Sequence, residues 1–266
     1  MEERHQREFS ESKHAAGEWS TTIAHTGSPA VRMIWNFLSR KRSAVDRLAR
    51  GCSGSVRVLD LGAGRGSYAH WFLGRTPATI VAVDWSFTSL RSLAVPRRGK
   101  ILKVCADARM LPFAFDAFDT AYSIDTLGHI VEVERALDEL YRVVKPGAPL
   151  ALHSECCDYR TQWPDRALIA ALGRDLLAQR DGHIGIRPSS QLRSEYVSRF
   201  TVRTFVCPAG VVGWLLGYPE KYREAFAMAG MRIPWAMTTL AACVKSTPVL
   251  GSALRLINAA TNHLEI

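Results

Sequence analysis

The sequence lacks any long uncharged apolar run. The best candidates for a membrane-spanning helix are residues 205–218 and 233–244. Both are shorter than the ~18 apolar residues that such a helix needs. The polar residues 1–14 show no signal-peptide pattern. The six cysteines include no C-x-x-C pair, and apolar neighbours predict that Cys105 lies in the core as a reduced thiol. We therefore expect a cytoplasmic protein with no transmembrane segment.

Internal repeats and low-complexity linkers are also absent. With 47% hydrophobic and 22% charged residues among 266, the composition is typical of an ordered globular chain. The net charge of +9 leaves an anionic partner open, but the basic residues are dispersed. The short cluster at residues 40–42 is typical of a solvated helix face, so nucleic acid is not the expected partner.

Strand-like and helix-like stretches alternate through the middle of the chain. Short runs that are apolar on both faces, separated by amphipathic stretches, are typical of a parallel sheet covered on both sides by helices. Right-handed crossovers then predict an α/β, doubly wound, mostly parallel Rossmann-like sheet, with its ligand crevice at the carboxyl ends of the strands. The predicted strands are residues 56–61, 79–83, 101–106, 120–124 and 150–153, and the predicted helices are residues 67–73, 86–93 and 133–144.

This pattern divides the chain into three predicted regions. Residues 1–50 form an N-terminal helical lid, residues 51–160 the Rossmann-like core, and residues 161–266 a C-terminal helical cap or substrate region. Within the last region, the sequence predicts a helix at 163–180, a loop at 181–190, a candidate sixth strand at 201–207, an alternative strand or helix at 239–245, and mostly buried aromatic side chains, Trp163 among them.

A glycine-rich turn follows the first predicted strand. Asp60 stands near the end of that strand, and Gly62, Gly64 and Gly66 follow it. Glycines at this spacing accept positive φ and let the backbone approach a ligand closely. A dinucleotide fingerprint would need its third glycine where Ser67 stands. A carboxylate here disfavours a pyrophosphate and suits the positive charge of S-adenosylmethionine, so a dinucleotide-dependent oxidoreductase is the weaker interpretation.

Together with four later motifs, this turn resembles the class I S-adenosylmethionine-dependent methyltransferases, particularly the ubiquinone/menaquinone and small-molecule group. The motifs are an acid followed by G-x-G-x-G (60–66), a second strand ending in an acid (81–84), D-A-x-x-L-P-F (107–113), a fourth strand with its following turn (118–130), and a close match to L-x-R-V-L-K-P-G-G (140–147, with Ala148 in place of the last glycine). The resemblance covers residues 55–155. It implies S-adenosyl-L-methionine as the methyl donor, S-adenosyl-L-homocysteine as the product, and a small-molecule acceptor.

The resemblance also implies roles for single residues. Asp84 would bind both ribose hydroxyls, and Trp85 would pack beside the adenine. Asp107, with Ala108 next to it, would accept a hydrogen bond from the adenine amino group. Asp125 lies in the stretch that lines the methyl-donor site in the family. No metal site is predicted.

Methyl transfer needs a base only if the acceptor must lose a proton. A base would have to lie at the carboxyl ends of the fourth and fifth strands, where His129 and His153 are the candidate catalytic residues. Packing or capping roles remain open for both, and Glu155 is expected to be structural or to orient the substrate. The sequence does not distinguish oxygen, nitrogen or carbon as the methylated atom.

Two other functions remain open at this point. The acceptor could be a tRNA, which the positive charge favours and the absence of a basic-aromatic stripe disfavours. The chain could instead be a non-catalytic module on the same fold. The intact Asp60, Asp84 and Asp107 argue against that alternative.

Overall fold

The computed structural model describes residues 8–9, 11–13, 40–94, 96, 98–203, 205 and 219–232. Its centre is a sheet of five parallel strands in the order β3-β2-β1-β4-β5. The strands are β1 (Val56–Leu61), β2 (Ala78–Asp84), β3 (Lys100–Cys105), β4 (Thr120–Ile124) and β5 (Leu150–His153). The order reverses between β1 and β4, so the predicted doubly wound sheet is confirmed.

Helices connect the strands and continue beyond the sheet. They are α1 (Arg40–Gly51), α2 (Ser67–Leu73), α3 (Phe87–Ser92), α4 (Val133–Val143), α5 (Asp165–Leu172), α6 (Leu176–Asp181), α7 (Ser189–Val197) and α8 (Pro219–Met228), with single 3-10 turns at Leu127–His129 and Asp158–Thr161. None of the helices in the described ranges is both long enough and apolar enough to cross a membrane.

The two faces of the sheet bury separate apolar clusters. Along β1, Val58 belongs to the cluster that also holds α1 and α2, while Leu59 belongs to the cluster beneath α4. Ile80 and Val81 divide in the same way on β2. Neighbouring strand residues therefore serve opposite faces, as expected for strands covered on both sides.

Strand β3 corrects one prediction. It lies at the edge of the sheet, where only β2 pairs with it, and four of its six residues are exposed. Cys105, predicted to lie in the core, is exposed for that reason. An apolar run alone does not distinguish a central strand from an edge strand.

The region after β5 also differs from its prediction. The helix predicted at 163–180 is interrupted, because Gly173 ends α5 at φ 67° and Asp175 caps α6 by accepting a hydrogen bond from the backbone N–H of Ala178. Trp163 is 61% exposed instead of buried, since Leu168, Tyr222 and Phe226 fill the apolar cluster nearby.

The predicted sixth strand is not found in the part of 201–207 that is described, because residues 201–203 and 205 have no strand pairing. The remainder of that segment, residues 239–245 and most of the predicted lid lie outside the described residues. The division into lid, core and cap stays a prediction.

Candidate active site at the carboxyl edge of the sheet

The glycine-rich turn passes from β1 into α2 in left-handed backbone conformations. The φ angles are 79° at Gly62, 52° at Gly64 and 77° at Gly66, so the predicted glycine conformations are observed. A Cβ on Gly62 would lie 1.9 Å from Oγ1 of Thr126. The turn therefore packs against the segment that follows β4, and any side chain at position 62 would clash with Thr126.

Asp84, the last residue of β2, fixes the shape of this turn. Its Oδ2 accepts a hydrogen bond from the N–H of Gly64 at 2.8 Å, and its Oδ1 accepts one from the N–H of Ser86 at 2.8 Å. The carboxylate thus links the glycine turn to the loop after β2. It is 9% exposed and lies at the position from which the family resemblance implies a ribose contact.

Asp60 is the most deeply buried acid of this edge, with 3% of its surface exposed. The hydroxyl of Tyr122 donates a hydrogen bond to its Oδ2 at 2.9 Å. Burial raises the pKa of Asp60 to about 7, the Tyr122 hydrogen bond opposes that rise, and the charge of Asp84 adds to it. Asp60 therefore changes protonation state near neutral pH.

Asp107 follows β3 and is paired with Arg109. The guanidinium donates hydrogen bonds to both carboxylate oxygens, with the shortest at 2.6 Å, and the N–H of Arg109 donates another at 2.8 Å. Burial tends to raise the pKa of Asp107, but these contacts lower it on balance. Trp85 and Ala108 are half-buried in the loops after β2 and β3. The acids predicted for the cofactor, Asp60, Asp84 and Asp107, thus lie at or just beyond the carboxyl ends of three adjacent strands.

The N-terminal segment also contacts this edge. Glu11 accepts a hydrogen bond from the hydroxyl of Ser86 at 3.0 Å and one from the N–H of Phe87 at 2.9 Å. Burial tends to raise the pKa of Glu11, but hydrogen bonds from the loop lower it. No local sequence pattern indicates this contact, because it joins residues that are far apart in the chain.

Across the sheet, Asp125 lies between a lysine and a histidine. Nζ of Lys41 contacts both carboxylate oxygens at 2.7 and 2.6 Å, and Nδ1 of His153 lies 2.7 Å from Oδ1. We call these three residues the Lys41–Asp125–His153 network. Burial raises the pKa of Asp125, but Lys41 and His153 hold it well below its usual range. Burial lowers the pKa of Lys41, but the charges of Asp125, Tyr68 and Glu155 together with the Asp125 hydrogen bond raise it by more.

This contact corrects the interpretation of residues 40–42 as a solvated face. The Lys41 side chain is only 24% exposed, and the guanidinium of Arg42 lies 4.7 Å from the ring centre of Trp71. Charge counting missed both residues because it does not register which face of α1 meets the sheet.

Glu155 lies next to the network. One ligand atom each from Asp125, His153 and Glu155 lie within 4.8 Å of one another, a spacing at which such a group could hold a metal ion. It is the one such group among the described residues, and the sequence had predicted none. Oε2 of Glu155 is buried and accepts no hydrogen bond from the described residues.

His129 lies in the 3-10 turn after β4 and contacts the loop after α6. Its Nδ1 is 3.0 Å from the carbonyl oxygen of Gly182, and its ring centre is 4.8 Å from that of His183. His183 Nε2 is 4.0 Å from Oε1 of Glu155, and burial lowers the pKa of His183. The structure thus brings both predicted histidines to the β4–β5 side and adds His183, which lies in a segment predicted only as a loop.

Comparison with known proteins identifies one family domain in this chain. Residues 59–152 match the family described as "Methyltransferase domain". The chain is 35% identical over 131 residues to a demethylmenaquinone methyltransferase of Mycolicibacterium paratuberculosis, and the alignment covers 49% of this chain and 53% of the relative. It is 31% identical over 147 residues to a sterol methyltransferase-like protein of Botryococcus braunii, covering 52% of this chain and 37% of the relative. The chain thus spans about half the length, or less, of these curated relatives.

Solved structures agree on the fold. A protein described as a methyltransferase from Bacillus halodurans superposes with a TM-score of 0.50 at 17% identity, covering 77% of this chain and 86% of that one. A chain from the complex of the Haloferax volcanii Trm112 methyltransferase activator with a methyltransferase gives a TM-score of 0.53 at 14% identity, covering 71% and 74%. Identities this low support the fold alone.

Proposed function

Since this chain belongs to the class I S-adenosylmethionine-dependent methyltransferases, its matched domain spanning residues 59–152, we propose that it transfers a methyl group from S-adenosyl-L-methionine to a small-molecule acceptor by in-line displacement. The observation that carries the proposal is that the glycine turn and the three acids Asp60, Asp84 and Asp107 lie at one edge of the sheet. The names of the curated relatives support a small-molecule acceptor.

The residues present fit this cofactor. The left-handed glycines keep the turn itself free of side chains, and the three acids offer acceptors for hydroxyl, amino and ammonium groups. We assign Gly62, Gly64 and Gly66 to the close backbone approach. Asp60 is assigned to the positive charge of the ligand, Asp84 to the ribose, and Trp85, Asp107 and Ala108 to the adenine. When bound, S-adenosylmethionine supplies an electrophilic methyl carbon on a sulfonium that leaves as neutral S-adenosylhomocysteine.

The chain's own work in such a reaction is to align the acceptor, exclude water and, for a hydroxyl or amine acceptor, remove a proton. His129 and His153 are the proposed bases, because His129 lies in the turn after β4 and His153 ends β5, at the same edge of the sheet as the glycine turn. A tRNA acceptor is not favoured, as the relatives' names point to small molecules. A non-catalytic module would bind the cofactor without turnover on any acceptor.

Thermal unfolding of the full chain tests the proposal. S-adenosylmethionine or S-adenosylhomocysteine at ~100 times its Kd should raise the free energy of unfolding by ~2.7 kcal/mol, whereas NAD should leave Tm unchanged. Asp84→Asn should lose most of the shift, and Asp119→Asn, at the amino end of β4, should keep it. Stabilisation by NAD alone would overturn the proposal.

A further inference from the structure

We propose that Asp125 positions His153 as the base of this site, and that the ammonium group of Lys41, instead of a metal ion, is the cation that holds Asp125. The proposal rests on the proposed methyl transfer and specifies its acceptor as a hydroxyl or amine that must lose a proton. His153 is the catalytic residue in it. Asp125 and Lys41 act through His153 and are positioning residues.

The contact between Asp125 and His153 fixes the imidazole. Because Nδ1 lies 2.7 Å from Oδ1 of Asp125, an ionised carboxylate there requires the proton on Nδ1. In the neutral ring, Nε2 then has the lone pair, which makes it the nitrogen able to accept a proton. Asp125 thus selects the basic nitrogen as well as the orientation of the ring. At 26% exposed, the His153 side chain is open to a small acceptor.

The charges of the site favour an internal cation over a metal. The Asp125–His153–Glu155 spacing could suit a divalent ion. Lys41, however, already contacts both oxygens of Asp125 at 2.7 and 2.6 Å, and a metal ligated by Asp125 would have to displace or repel this ammonium. With Lys41 in place, the fixed charges of Asp125, Glu155 and Lys41 leave one net negative charge, which suits an imidazolium formed on His153.

The backbone of Asp125 gives a second reason to assign it a role. Its φ of 57° lies in the left-handed region, which costs energy for a residue other than glycine. That conformation directs a carboxylate to Lys41 and His153 from the first residue after β4. Asparagine tolerates the same region well, so Asp125→Asn removes the charge while keeping the backbone.

The proton balance of the step is simple. The acceptor's O–H or N–H proton passes to Nε2 of His153, and the electron pair left on the acceptor atom forms the new bond to the methyl carbon. Asp125 stays ionised, and the imidazolium returns its proton to water. Asp125 interacts directly with His153 and Lys41. The other titratable groups that interact with Lys41 or Asp125 are Tyr68 on α2, Glu155 after β5 and His183 after α6, and Arg42 interacts with Tyr68.

Histidine-selective NMR of the full chain, without cofactor or acceptor, tests the positioning. The His153 signals are identified by their loss in His153→Gln. Wild-type protein should show neutral His153 protonated at Nδ1, and Asp125→Asn should exchange the protonated and unprotonated signals between Nδ1 and Nε2. Asp119→Asn is the matched control, because Asp119 forms a carboxylate–lysine pair with Lys145 at 2.6 Å at the other end of β4.

The tautomer decides the positioning role. Neutral wild-type His153 protonated at Nε2, or a proton that stays on Nδ1 in Asp125→Asn, would overturn it.

A cobalt titration tests the choice of cation. Co²⁺ added to wild-type protein should produce no saturable visible absorption. Saturable absorption that disappears in His153→Gln would show that a metal fills the site and would overturn the role of Lys41. None of these measurements depends on cofactor binding. The positioning role can therefore be supported when the S-adenosylmethionine test fails, and it can be overturned when that test succeeds.

Discussion

Two carboxylates on opposite halves of the sheet edge are held by different means. At the end of β2, Asp84 is held by backbone N–H groups. On the β4–β5 side, Asp125 is held by the side chains of Lys41 and His153. Backbone donors keep their position and charge at every pH, whereas side-chain partners make the carboxylate depend on protonation.

This difference separates binding from proton transfer. A carboxylate fixed by the backbone suits a ligand that must bind in the same way each time. A carboxylate coupled to an imidazole suits a group that gains and loses a proton during turnover. Substitutions on the first side should therefore change cofactor affinity, and substitutions on the second should change turnover and its pH dependence.

The largest effect is expected for the base. If a hydroxyl acceptor is used, His153→Gln should lower kcat by ~10²–10⁴-fold with unchanged cofactor affinity. His129→Gln is its matched partner and should cost less, since Nδ1 of His129 contacts a carbonyl oxygen whereas Nδ1 of His153 contacts a carboxylate. Transfer of a labelled methyl group to a panel of hydroxyl, phenol and amine acceptors would measure both. If only the His129 variant lost turnover, the assignment of the base would be reversed.

The contrast also explains what sequence could predict. The strands 56–61, 120–124 and 150–153 and the helix 67–73 were located to the residue, because apolar runs and glycine or proline boundaries are local signals. Asp60, Asp84 and Asp107 lie at or just beyond the carboxyl ends of three successive strands, so a parallel sheet brings their positions to one edge without further information.

Other features depend on pairings that the sequence does not encode locally. Lys41 contacts Asp125 across 84 positions of the chain, and its neighbours suggested only a solvated helix face. Cys105 is exposed because β3 is an edge strand, and strand order follows from crossovers instead of from composition. The predicted roles of the histidines stay predictions.

A smaller effect is expected at the ribose position on the backbone-held side. Asp84→Asn removes a charged acceptor, which should weaken binding of S-adenosylmethionine by ~1.5–3 kcal/mol. Asparagine can still accept through its Oδ1, so the turn should keep at least one of its two contacts. Calorimetric titration with S-adenosylhomocysteine measures the loss. Unchanged affinity would mean that Asp84 only shapes the turn, and the ribose would have to bind elsewhere.

The smallest expected effect is a proton released on binding. Burial raises the pKa of Asp60 to about 7 from its ordinary 3.8, so near neutral pH the ligand-free protein is a mixture of acid and carboxylate. A cationic ligand placed beside Asp60 favours the carboxylate, and part of a proton should leave. Calorimetry in buffers with different ionisation enthalpies counts it. The release should be largest near pH 6–7, fade toward higher pH as Asp60 ionises unaided, and vanish in Asp60→Asn.

The same raised pKa fixes the pH dependence of folding. An acid whose pKa is higher in the folded protein stabilises the fold below its unfolded value and loses that contribution as pH rises through the folded value. The free energy of unfolding without ligand should therefore fall between about pH 4 and pH 7 for Asp60, relative to Asp60→Asn. Tyr122→Phe removes the hydroxyl that lowers the pKa of Asp60, so both the loss of stability and the proton release should move to higher pH. If the two curves were parallel in wild type and Asp60→Asn, Asp60 would be ionised throughout, and the positive charge of the ligand would have to be held by another residue.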